Sequence, residues 1–512
     1  MPLSKVATAL AAALVAVGAA VAAQDAGIPG LRVLISDITL PGIDNGVRES
    51  DPPREPRPNA LDRATGDPLP FVRGSIIVKF KAGTAAASER AMLARAGAST
   101  TMETPTYSDF NIVNIGEDAD PEAAARVLAA QPDVEYAQAR YRMHPMFVPN
   151  DPLYSMQWNY PAIDMERAWD LNPGASSSVI VAVIDSGIAY RNELVRFNAP
   201  AWAVQGGPSF PALGQIDVPF AAAPDLGGPD RFVAPRDFIW NSNDPVDLDG
   251  HGTHVAGTIG QLTNNGIGAA GMAFNVRLMP VKVIDSLWDD IFRSPNAGTD
   301  DVVARGVRYA VDSGARVLNM SIGRTGPPSP VVQEAIAYAV RNGAFVAVAA
   351  GNDFEQGNAV EVVAQFAPLI QGMVAVGSIG RDRVRAYYST TGPYVELVAP
   401  GGNQRSGGSA GGILQQTFDF GFVQTYTGGP SRYGAPRFDV FQYQFFQGTS
   451  MATPHVAGFA ALLMQQGIKS PAAIEAAMEQ YATDLGTAGR DDQYGYGLIN
   501  PRAALRGMGL LK

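Results

Sequence analysis

The chain contains the run Val179-Ile180-Val181-Ala182-Val183-Ile184-Asp185-Ser186-Gly187, in which apolar, mostly β-branched residues lead directly to an aspartate. An uninterrupted apolar run of this kind is typical of a parallel strand that is buried on both faces. Open parallel sheets place their sites at the carboxyl ends of the strands, which is where this run delivers the Asp185 carboxylate. The alternative is a turn-forming Asp-Ser-Gly, which is common in loops. The apolar strand before Asp185 favours a functional carboxylate.

Strand-like and helix-like segments alternate after this run. The predicted strands are 179–185, 277–285, 316–322, 344–350, 374–378 and 395–399. The predicted helices are 299–313, 330–342, 450–466 and 471–482. This alternation predicts an α/β fold with a doubly wound, mostly parallel sheet.

A second run, Gly448-Thr449-Ser450-Met451-Ala452-Thr453-Pro454-His455-Val456-Ala457-Gly458, places Ser450 at the start of a predicted helix. The first N–H groups of a helix have no partner inside the helix, and the helix dipole is positive there. An oxyanion forming beside Ser450 would therefore be stabilised. Taken alone, a serine in this position is more often only an N-cap.

A base for this serine is available in Asp249-Gly250-His251-Gly252-Thr253-His254-Val255-Ala256-Gly257-Thr258, a glycine-rich turn that leads into a helix. A serine hydroxyl is a poor nucleophile until a base accepts its proton. The alternatives for His251 and His254 are a metal pair or simple packing, and the i, i+3 spacing without a third clustered ligand disfavours the metal. We expect His254 and His455 to be buried and hydrogen-bonded.

These three segments, in the order Asp185, His251, Ser450, resemble the signatures of the subtilisin-like serine proteases (subtilases, peptidase family S8). The resemblance covers roughly residues 147 to 506. It implies a serine endopeptidase in which Ser450 attacks a peptide carbonyl, His251 transfers the proton, and Asp185 orients the histidine. Chain order matters, because unrelated serine hydrolases use the same three residue types in other orders.

Two further groups of residues match the family. Asn352, in Ala349-Ala350-Gly351-Asn352, resembles the asparagine that completes the oxyanion hole together with the backbone N–H of the nucleophile. Asn319-Met320-Ser321-Ile322-Gly323 resembles the edge strand that pairs with an extended substrate. The resemblance therefore implies substrate binding by Ser321, Ile322 and Gly323 through main-chain hydrogen bonds.

A structural calcium site is also implied by the resemblance, although no cofactor is expected for catalysis. Oxygen ligands suit this cation. The residues that match the family's site are Asp151, Glu193, Thr263, Asn265, Ile267 and Ala269. Whether calcium binds is left open, because Glu193 stands where relatives usually carry the shorter aspartate.

The amino-terminal part of the chain divides into three predicted segments. Residues 1–23 read as a signal peptide, with Lys5 before a short Ala/Val/Leu-rich stretch and small residues for cleavage. Residues 24–70 are predicted to be a linker of low order, because their second half is rich in proline and charge. Residues 74–144 show a β-α-β-α-β order that indicates a small α+β, ferredoxin-like unit.

The unit at 74–144 resembles the inhibitory propeptide of subtilases, and an ordinary accessory domain is the alternative. The catalytic domain is then predicted at 147–512, and the segment 494–500 resembles the family's own terminus, so no further domain is expected after it. Two inserts, at 197–235 and 401–446, are predicted to be surface loops.

Composition agrees with an exported globular enzyme. The 512 residues, 46% of them hydrophobic, suffice for more than one domain and a large core. With 38 basic and 49 acidic residues the net charge is -11, which argues against nucleic acid and anionic membranes as partners. The absence of cysteine excludes disulfides and thiolate metal sites. We expect a monomer without a membrane anchor that is secreted, extracellular or periplasmic, after removal of its signal peptide.

Three other functions compete with a self-processing, secreted endopeptidase acting on proteins or peptides. A binding protein that lost turnover is disfavoured by the complete set of three residues plus Asn352. An esterase acting on non-peptide substrates is disfavoured by the predicted substrate strand at 319–323. A sedolisin-type acid peptidase is disfavoured because such enzymes replace the histidine base with a carboxylate.

Overall fold

The computed structural model describes residues 71–141, 147–203, 209–423 and 434–509. The chain divides into two compact units, Met1–Tyr141 and Arg142–Lys512. The predicted signal peptide at 1–23 and the predicted linker at 24–70 lie outside the described residues. None of the helices in the described ranges is long and apolar enough to cross a membrane.

The first unit is a four-stranded antiparallel sheet with two helices. Its elements are β1 (Phe71–Phe80), α1 (Ala86–Arg95), β2 (Met102–Glu103), β3 (Asn111–Asn114), α2 (Pro121–Ala129) and β4 (Val134–Tyr141). The strand order β2-β3-β1-β4 and the β-α-β-β-α-β sequence are those of a ferredoxin-like unit. Ile76 and Val78 on β1 alternate with less buried neighbours and pack in a core with Leu93 and Leu128 from the helices. The sequence missed β2, because two residues are too few to show a periodic pattern.

The second unit contains thirteen described strands and eleven described helices. The strands are β5 (Ile180–Asp185), β6 (Glu193–Ala199), β7 (Trp202–Ala203), β8 (Ser209–Phe210), β9 (Gly214–Phe220), β10 (Arg236–Asp237), β11 (Arg277–Lys282), β12 (Val317–Met320), β13 (Phe345–Ala349), β14 (Met373–Ile379), β15 (Leu397–Pro400), β16 (Ile413–Phe418) and β17 (Phe441–Phe446). The helices are α3 (Asn159–Ala162), α4 (Met165–Trp169), α5 (His251–Gly260), α6 (Leu287–Phe292), α7 (Asp300–Asp312), α8 (Pro330–Arg341), α9 (Gln404–Gly407), α10 (Phe420–Val423), α11 (Thr449–Gln465), α12 (Pro471–Gln480) and α13 (Pro501–Gly509).

Seven of these strands form a parallel sheet in the order β10-β11-β5-β12-β13-β14-β15, which confirms the predicted fold class. Strand β5 lies between β11 and β12. The chain therefore leaves β5 toward one side of the sheet and later continues on the other side. Such a reversal opens a crevice outside the carboxyl end of the strand, where Asp185 is the last residue of β5.

The two faces of β5 belong to two different cores, as its continuous apolar sequence predicts. Val181 and Val183 pack in the core that includes α5 and α11, whereas Ala182 and Ile184 pack in the core that includes α7 and α8. Successive side chains of a strand point to opposite faces, so burial on both faces requires apolar residues at every position. Helices thus cover both faces of the sheet.

The segment 319–323 is not the edge strand that the resemblance implied. Asn319 and Met320 belong to β12, which is paired with β5 on one side and with β13 on the other. Only residues 321–323 continue past the sheet, where no strand of the described chain pairs with them. The prediction was wrong for Asn319 and Met320, because β12 is buried throughout and such strands lie inside a sheet.

The two inserts predicted to be surface loops instead contain hairpins that pack into the core. Strands β6 and β9 pair antiparallel and bury Phe197 and Phe220, and strands β16 and β17 form a second antiparallel pair. Every residue of β16 is buried, including Gln415 and Gln416. Gln415 Nε2 donates to Ala270 O at 3.0 Å. The insert at 401–446 was predicted to be a surface loop from its position as an insertion, but hydrogen bonds such as that of Gln415 Nε2 accompany its burial.

Candidate active site

Asp185 stands fully buried at the carboxyl end of β5. Its Oδ1 accepts a hydrogen bond from Ser186 N at 2.8 Å, whereas its Oδ2 has no hydrogen-bond partner among the described residues. The turn after Asp185 is held by Lys282, a fully buried lysine on β11 whose Nζ donates to Ser186 O at 3.0 Å and to Asp289 Oδ2 at 2.9 Å.

His251 is the first residue of α5 and contacts Asp185 directly. Its Nδ1 lies 2.7 Å from Asp185 Oδ1, and its side chain is 25% exposed. Burial by itself lowers the pKa of His251, but the negative charge of Asp185 and the hydrogen bond to it outweigh this effect and raise the pKa to about 9. Since Nδ1 faces the aspartate, Nε2 is the nitrogen that remains for a proton exchange with a third group.

Asp247 connects the turn after Asp185 with the start of α5. Its Oδ1 accepts from Ser186 Oγ at 3.0 Å and from Gly250 N at 2.9 Å, and its Oδ2 accepts from Thr253 Oγ1 at 2.6 Å. It is fully buried. One carboxylate therefore positions the acid and the histidine relative to each other. Sequence analysis missed it, although its place four residues before His251, in a turn, was a usable signal.

Ser450 lies in the first turn of α11, which packs against α5. Its Oγ donates to Ser321 O at 3.2 Å, and its carbonyl oxygen accepts from Ser321 Oγ at 2.8 Å. Pro454 lacks the N–H that would otherwise bond the Ser450 carbonyl within the helix, which leaves this oxygen for Ser321. Within the described ranges, Ser450 forms no hydrogen bond with His251. Its side chain is instead hydrogen-bonded to Ser321.

Asn352 is placed beside the serine by the neighbouring strand end. It follows β13, and its Oδ1 accepts from Thr449 N at 2.9 Å and from Thr449 Oγ1 at 3.1 Å. Since the amide oxygen is held by Thr449, Nδ2 is the atom of the Asn352 amide that remains as a donor.

The three predicted substrate-binding residues differ in exposure. Ser321 and Ile322 are buried, and Gly323 is exposed. Gly323 lies against the buried carboxylate of Glu361, with which a Cβ at this position would collide. Glu361 was not predicted, because nothing in its local sequence connects it to a segment 38 residues earlier; the backbone N–H of Arg324, 37 residues away, donates to it at 2.6 Å.

The other two described histidines are structural, as predicted. His254 and His455 are fully buried. His254 Nε2 contacts Ile413 O and Gln444 O, each at 3.1 Å, and His455 contacts Met451 O and Asn159 Nδ2, each at 2.9 Å. Burial lowers the pKa of His254 to about 3 and that of His455 to about 4, so both are neutral.

The predicted calcium ligand Glu193 was wrong. It begins β6, and its carboxylate pairs with Arg191 at 2.5 Å. The carboxylates that contact the loop at 263–269 are those of Asp151 and Asp225: Asp151 Oδ2 accepts from Asn264 N at 2.7 Å. The hairpin of β6 and β9 lies between Glu193 and Asp225 in the chain, and Asp225 is the residue after it that contacts the loop.

Asp225 is fully buried, and its carboxylate already accepts four hydrogen bonds. The donors are Gln261 Nε2 at 2.6 Å, Asn265 Nδ2 at 2.8 Å, Ala269 N at 3.1 Å and Tyr443 OH at 3.0 Å. A carboxylate offers about four lone-pair sites. The side-chain oxygen of Asn265, Oδ1, is also used, since it accepts from Ile267 N at 3.0 Å.

Three predicted ligands remain, namely Thr263, Ile267 and Ala269. The Thr263 hydroxyl accepts from Gly271 N at 2.9 Å, and the backbone carbonyl oxygens of all three accept no backbone hydrogen bond among the described residues. Carbonyl oxygens of this kind, together with carboxylates, are ligands that calcium takes. Calcium binding at this loop, with Asp151 and Asp225 as the carboxylates that contact it, stays a prediction.

Two protein-family models match this chain. The family model of the subtilase family matches residues 176–497, and that of the fervidolysin N-terminal prodomain matches residues 58–139. The chain is 32% identical over 433 residues to the thermophilic serine proteinase of Bacillus sp. (strain AK1), covering 84% of this chain and 86% of that protein.

Two further similarities extend this comparison. The chain is 31% identical over 405 residues to the extracellular protease of Xanthomonas campestris pv. campestris, covering 76% of this chain and 62% of that protein. Among solved structures, a protease from Pseudoalteromonas arctica PAMC 21717 is similar with a TM-score of 0.52 and 29% identity, covering 70% of this chain and 99% of that chain.

Proposed function

The chain belongs to the subtilase family of serine endopeptidases, and from this premise we propose that it is a secreted, self-processing enzyme whose catalytic residues are Asp185, His251 and Ser450. The observation that carries the proposal is the 2.7 Å contact between His251 Nδ1 and Asp185 Oδ1 at the carboxyl edge of the sheet. A histidine oriented by a buried carboxylate, beside a serine at a helix start, is the arrangement that acyl transfer requires.

In the proposed mechanism, His251 Nε2 accepts the hydroxyl proton while Ser450 Oγ attacks the peptide carbonyl. The hydroxyl must first leave its hydrogen bond to Ser321 O, which at 3.2 Å is long for an O–H donor. His251 then donates the proton to the leaving amine, and Asp185 stabilises the imidazolium. Water repeats the attack on the acyl-enzyme and releases the carboxylic acid.

The negative charge of the tetrahedral intermediate is stabilised by two donors in this proposal. Asn352 Nδ2 supplies one, and the backbone N–H of Ser450, in the first turn of α11, supplies the other. The hydrogen bonds from Thr449 to Asn352 Oδ1 hold the amide before substrate arrives. A donor that is already oriented costs no reorganisation during the reaction.

Residues 321–323 are proposed to bind the extended peptide. They leave the sheet beyond β12, so backbone groups of this segment are available to pair with a substrate strand. Main-chain pairing of this kind recognises a peptide independently of its sequence. Selectivity must then come from side chains that line the adjacent space.

The chain has an N-terminal prodomain, and we propose that this part acts as an intramolecular inhibitor until the enzyme removes it. The predicted signal peptide at 1–23 and the name of the extracellular relative from Xanthomonas campestris support secretion. Protein or peptide substrates and the chain's own prodomain are the proposed partners.

The test is the intact mass and N-terminal sequence of the exported protein, wild type beside Ser450→Ala. We expect a cut near residues 141–150 in the wild type that the variant lacks. Ser470→Ala is the matched control, because Ser470 is an exposed serine at the start of α12 without a side-chain capping bond. Equal cutting in all three would assign maturation to another protease, and absence of peptide hydrolysis by the processed wild type would contradict the proposed activity.

A further inference from the structure

Glu361 is a buried carboxylate outside the three catalytic residues, and it lies against two segments that follow strand ends. It is 5% exposed. Gly323 follows β12 and Gly351 follows β13. A Cβ added to Gly323 would collide with the Glu361 carboxylate, and a Cβ on Gly351 would lie 2.8 Å from Thr390 Oγ1 and 3.4 Å from Glu361 Cβ. Glu361 therefore forms the floor of the space between these two segments, which we call the Gly323–Gly351 gap.

The Gly323–Gly351 gap opens beside Ser450. On one side, Ser321 O accepts from Ser450 Oγ at 3.2 Å. On the other side, Gly351 N donates to Thr449 Oγ1 at 3.2 Å. In the substrate residue that supplies the scissile carbonyl, the side chain is attached to the Cα atom, which is bonded to the carbonyl carbon that Ser450 attacks. That side chain would therefore extend between the two segments, toward Glu361.

The Glu361 carboxylate forms no ion pair among the described residues, although the charge of the nearby Arg324 acts on it. Its Oε1 accepts from the backbone N–H groups of Arg324 at 2.6 Å and Val363 at 3.3 Å. The Arg324 guanidinium itself is committed to Asp300, with which it forms bonds of 2.9 and 2.6 Å. Burial of a carboxylate without a cation is unfavourable unless the carboxylate is hydrogen-bonded or paired.

The protonation states of the site agree with a role for an ionised Glu361. Burial raises the pKa of Glu361 to about 7, and the pKa of His251 is raised to about 9. At the alkaline pH at which His251 is neutral, Glu361 is therefore already charged. A substrate cation that enters the gap would stabilise this charge further.

We propose that Glu361 determines specificity, selecting peptides in which lysine or arginine supplies the scissile carbonyl. This inference rests on the proposed endopeptidase function and adds the substrate class. A long aliphatic stem with a cationic end fits a space whose sides are backbone and whose floor is a carboxylate. Substrates with leucine or phenylalanine at this position would bury Glu361 without any countercharge.

The test compares kcat/KM of the processed enzyme for peptide p-nitroanilides that share an Ala-Ala-Pro leader and end in Lys, Arg, Leu, Phe or Glu. We expect the wild type to favour Lys and Arg over Leu by about tenfold or more. Glu361→Gln keeps the shape and the acceptor for Arg324 N but removes the charge. It should lose about tenfold or more on the Lys and Arg substrates and change little on Leu.

The matched control is Glu355→Gln, which removes a carboxylate from the same loop, where it is exposed and paired with Arg405 at 2.5 Å. This variant should keep the wild-type preference. Benzamidine, a small amidinium, provides a second measurement, since its inhibition constant should rise in Glu361→Gln only.

Two results would overturn the inference without touching the proposed function. In the first, the wild type cleaves all five substrates without preferring Lys or Arg. In the second, Glu361→Gln loses kcat/KM by the same factor on every substrate. Wild type that cleaves none of the substrates would instead contradict the endopeptidase function itself. The substrate preference of the wild type can be measured without any variant, so the inference is testable even if Glu361→Gln does not fold.

Discussion

His251 Nδ1 lies 2.7 Å from Asp185 Oδ1, although 66 residues separate the two in the chain. Strand β5 delivers the carboxylate and helix α5 delivers the imidazole, and Asp247 joins the two elements through hydrogen bonds to Ser186 and Gly250. The histidine is thereby oriented before any substrate binds. This relationship determines the pH range in which the proposed reaction can proceed.

The first prediction concerns pH. A base must be neutral to accept a proton, and the pKa of His251 is raised to about 9, so kcat/KM should increase with pH and level off above about 9. Asp185→Asn removes the charge that raises this pKa. It should lower kcat on the order of 10⁴ and move the acidic limb to lower pH. The measurement is kcat/KM from pH 6 to 11 on a peptide with leucine at the scissile carbonyl.

Asp217→Asn is the control for this series, because Asp217 forms a partly exposed ion pair with Arg196 at 2.6 Å. Its profile should match that of the wild type. An acidic limb near the ordinary histidine pKa of 6.5 in the wild type would contradict the prediction.

The second prediction concerns the oxyanion. Asn352→Ala should lower kcat on the order of 10²–10³ with little change in KM, the range known for such a donor in subtilisin. Asn352→Asp separates donation from positioning, because it keeps an oxygen to accept from Thr449 N but loses the Nδ2 donor. Steady-state kinetics should show a comparable loss in both variants. Near-normal kcat in Asn352→Asp would show that the donor is not needed.

The third prediction concerns metal removal. EDTA distinguishes a carboxylate of Asp225 that is satisfied by its four protein hydrogen bonds alone from one that also holds calcium; with the hydrogen bonds alone, the melting temperature of Ser450→Ala protein should not change. Asp225→Asn should lower the free energy of unfolding by about 2–3 kcal/mol, since it removes charge-assisted hydrogen bonds. A melting temperature that falls with EDTA and recovers with added calcium would refute this prediction.

The fourth prediction concerns alkaline stability and three neighbouring glutamates. Carboxylate oxygens of Glu396, Glu475 and Glu479 lie within 4.8 Å of one another. Burial first, and then the charges of the other two, raise the pKa of Glu396 to about 9; burial raises that of Glu475 to about 7. In the unfolded chain glutamate titrates near 4.3. The folded state therefore binds more protons than the unfolded state between these values, and stability decreases as pH rises from about 4.3 to 9.

Glu396→Gln should flatten this decrease, because the neutral amide stays uncharged at every pH. The measurement is the melting temperature from pH 5 to 10, in the Ser450→Ala background so that self-digestion does not interfere. Glu355→Gln is the control, since its exposed ion pair with Arg405 lowers the pKa of Glu355 instead. If the melting temperature of Glu396→Gln falls with pH as steeply as that of the parent protein, the raised pKa of Glu396 is not the cause of the decrease.

The regular elements of the second unit could be predicted closely from the sequence. The helix expected at 450–466 runs Thr449–Gln465, and the strand expected at 344–350 runs Phe345–Ala349. Both are nearly continuous apolar segments, and the structure buries them almost completely. Local composition therefore carried enough information to place them.

The calcium ligands and the substrate segment could not be placed from the local sequence alone. Glu193 was predicted because it stands where relatives usually carry an aspartate ligand, but Asp225, which follows the hairpin of β6 and β9, contacts the loop. Likewise, the segment at 319–323 looked like one strand, yet it is split between the sheet interior and the residues beyond it. In both cases the deciding contact joins residues that are distant in the chain.

By itself, the sequence determined the parallel sheet, the strand end at Asp185 and the helix starts at His251 and Ser450, since each depends on residues adjacent in the chain. Only the tertiary structure decided that Asp247 joins the acid to the base and that Asp225, rather than Glu193, meets the loop at 263–269. It also decided that Glu361 lies beneath the Gly323–Gly351 gap. The physical reason is that a buried polar group needs partners, and the packing of distant segments determines which groups can reach it.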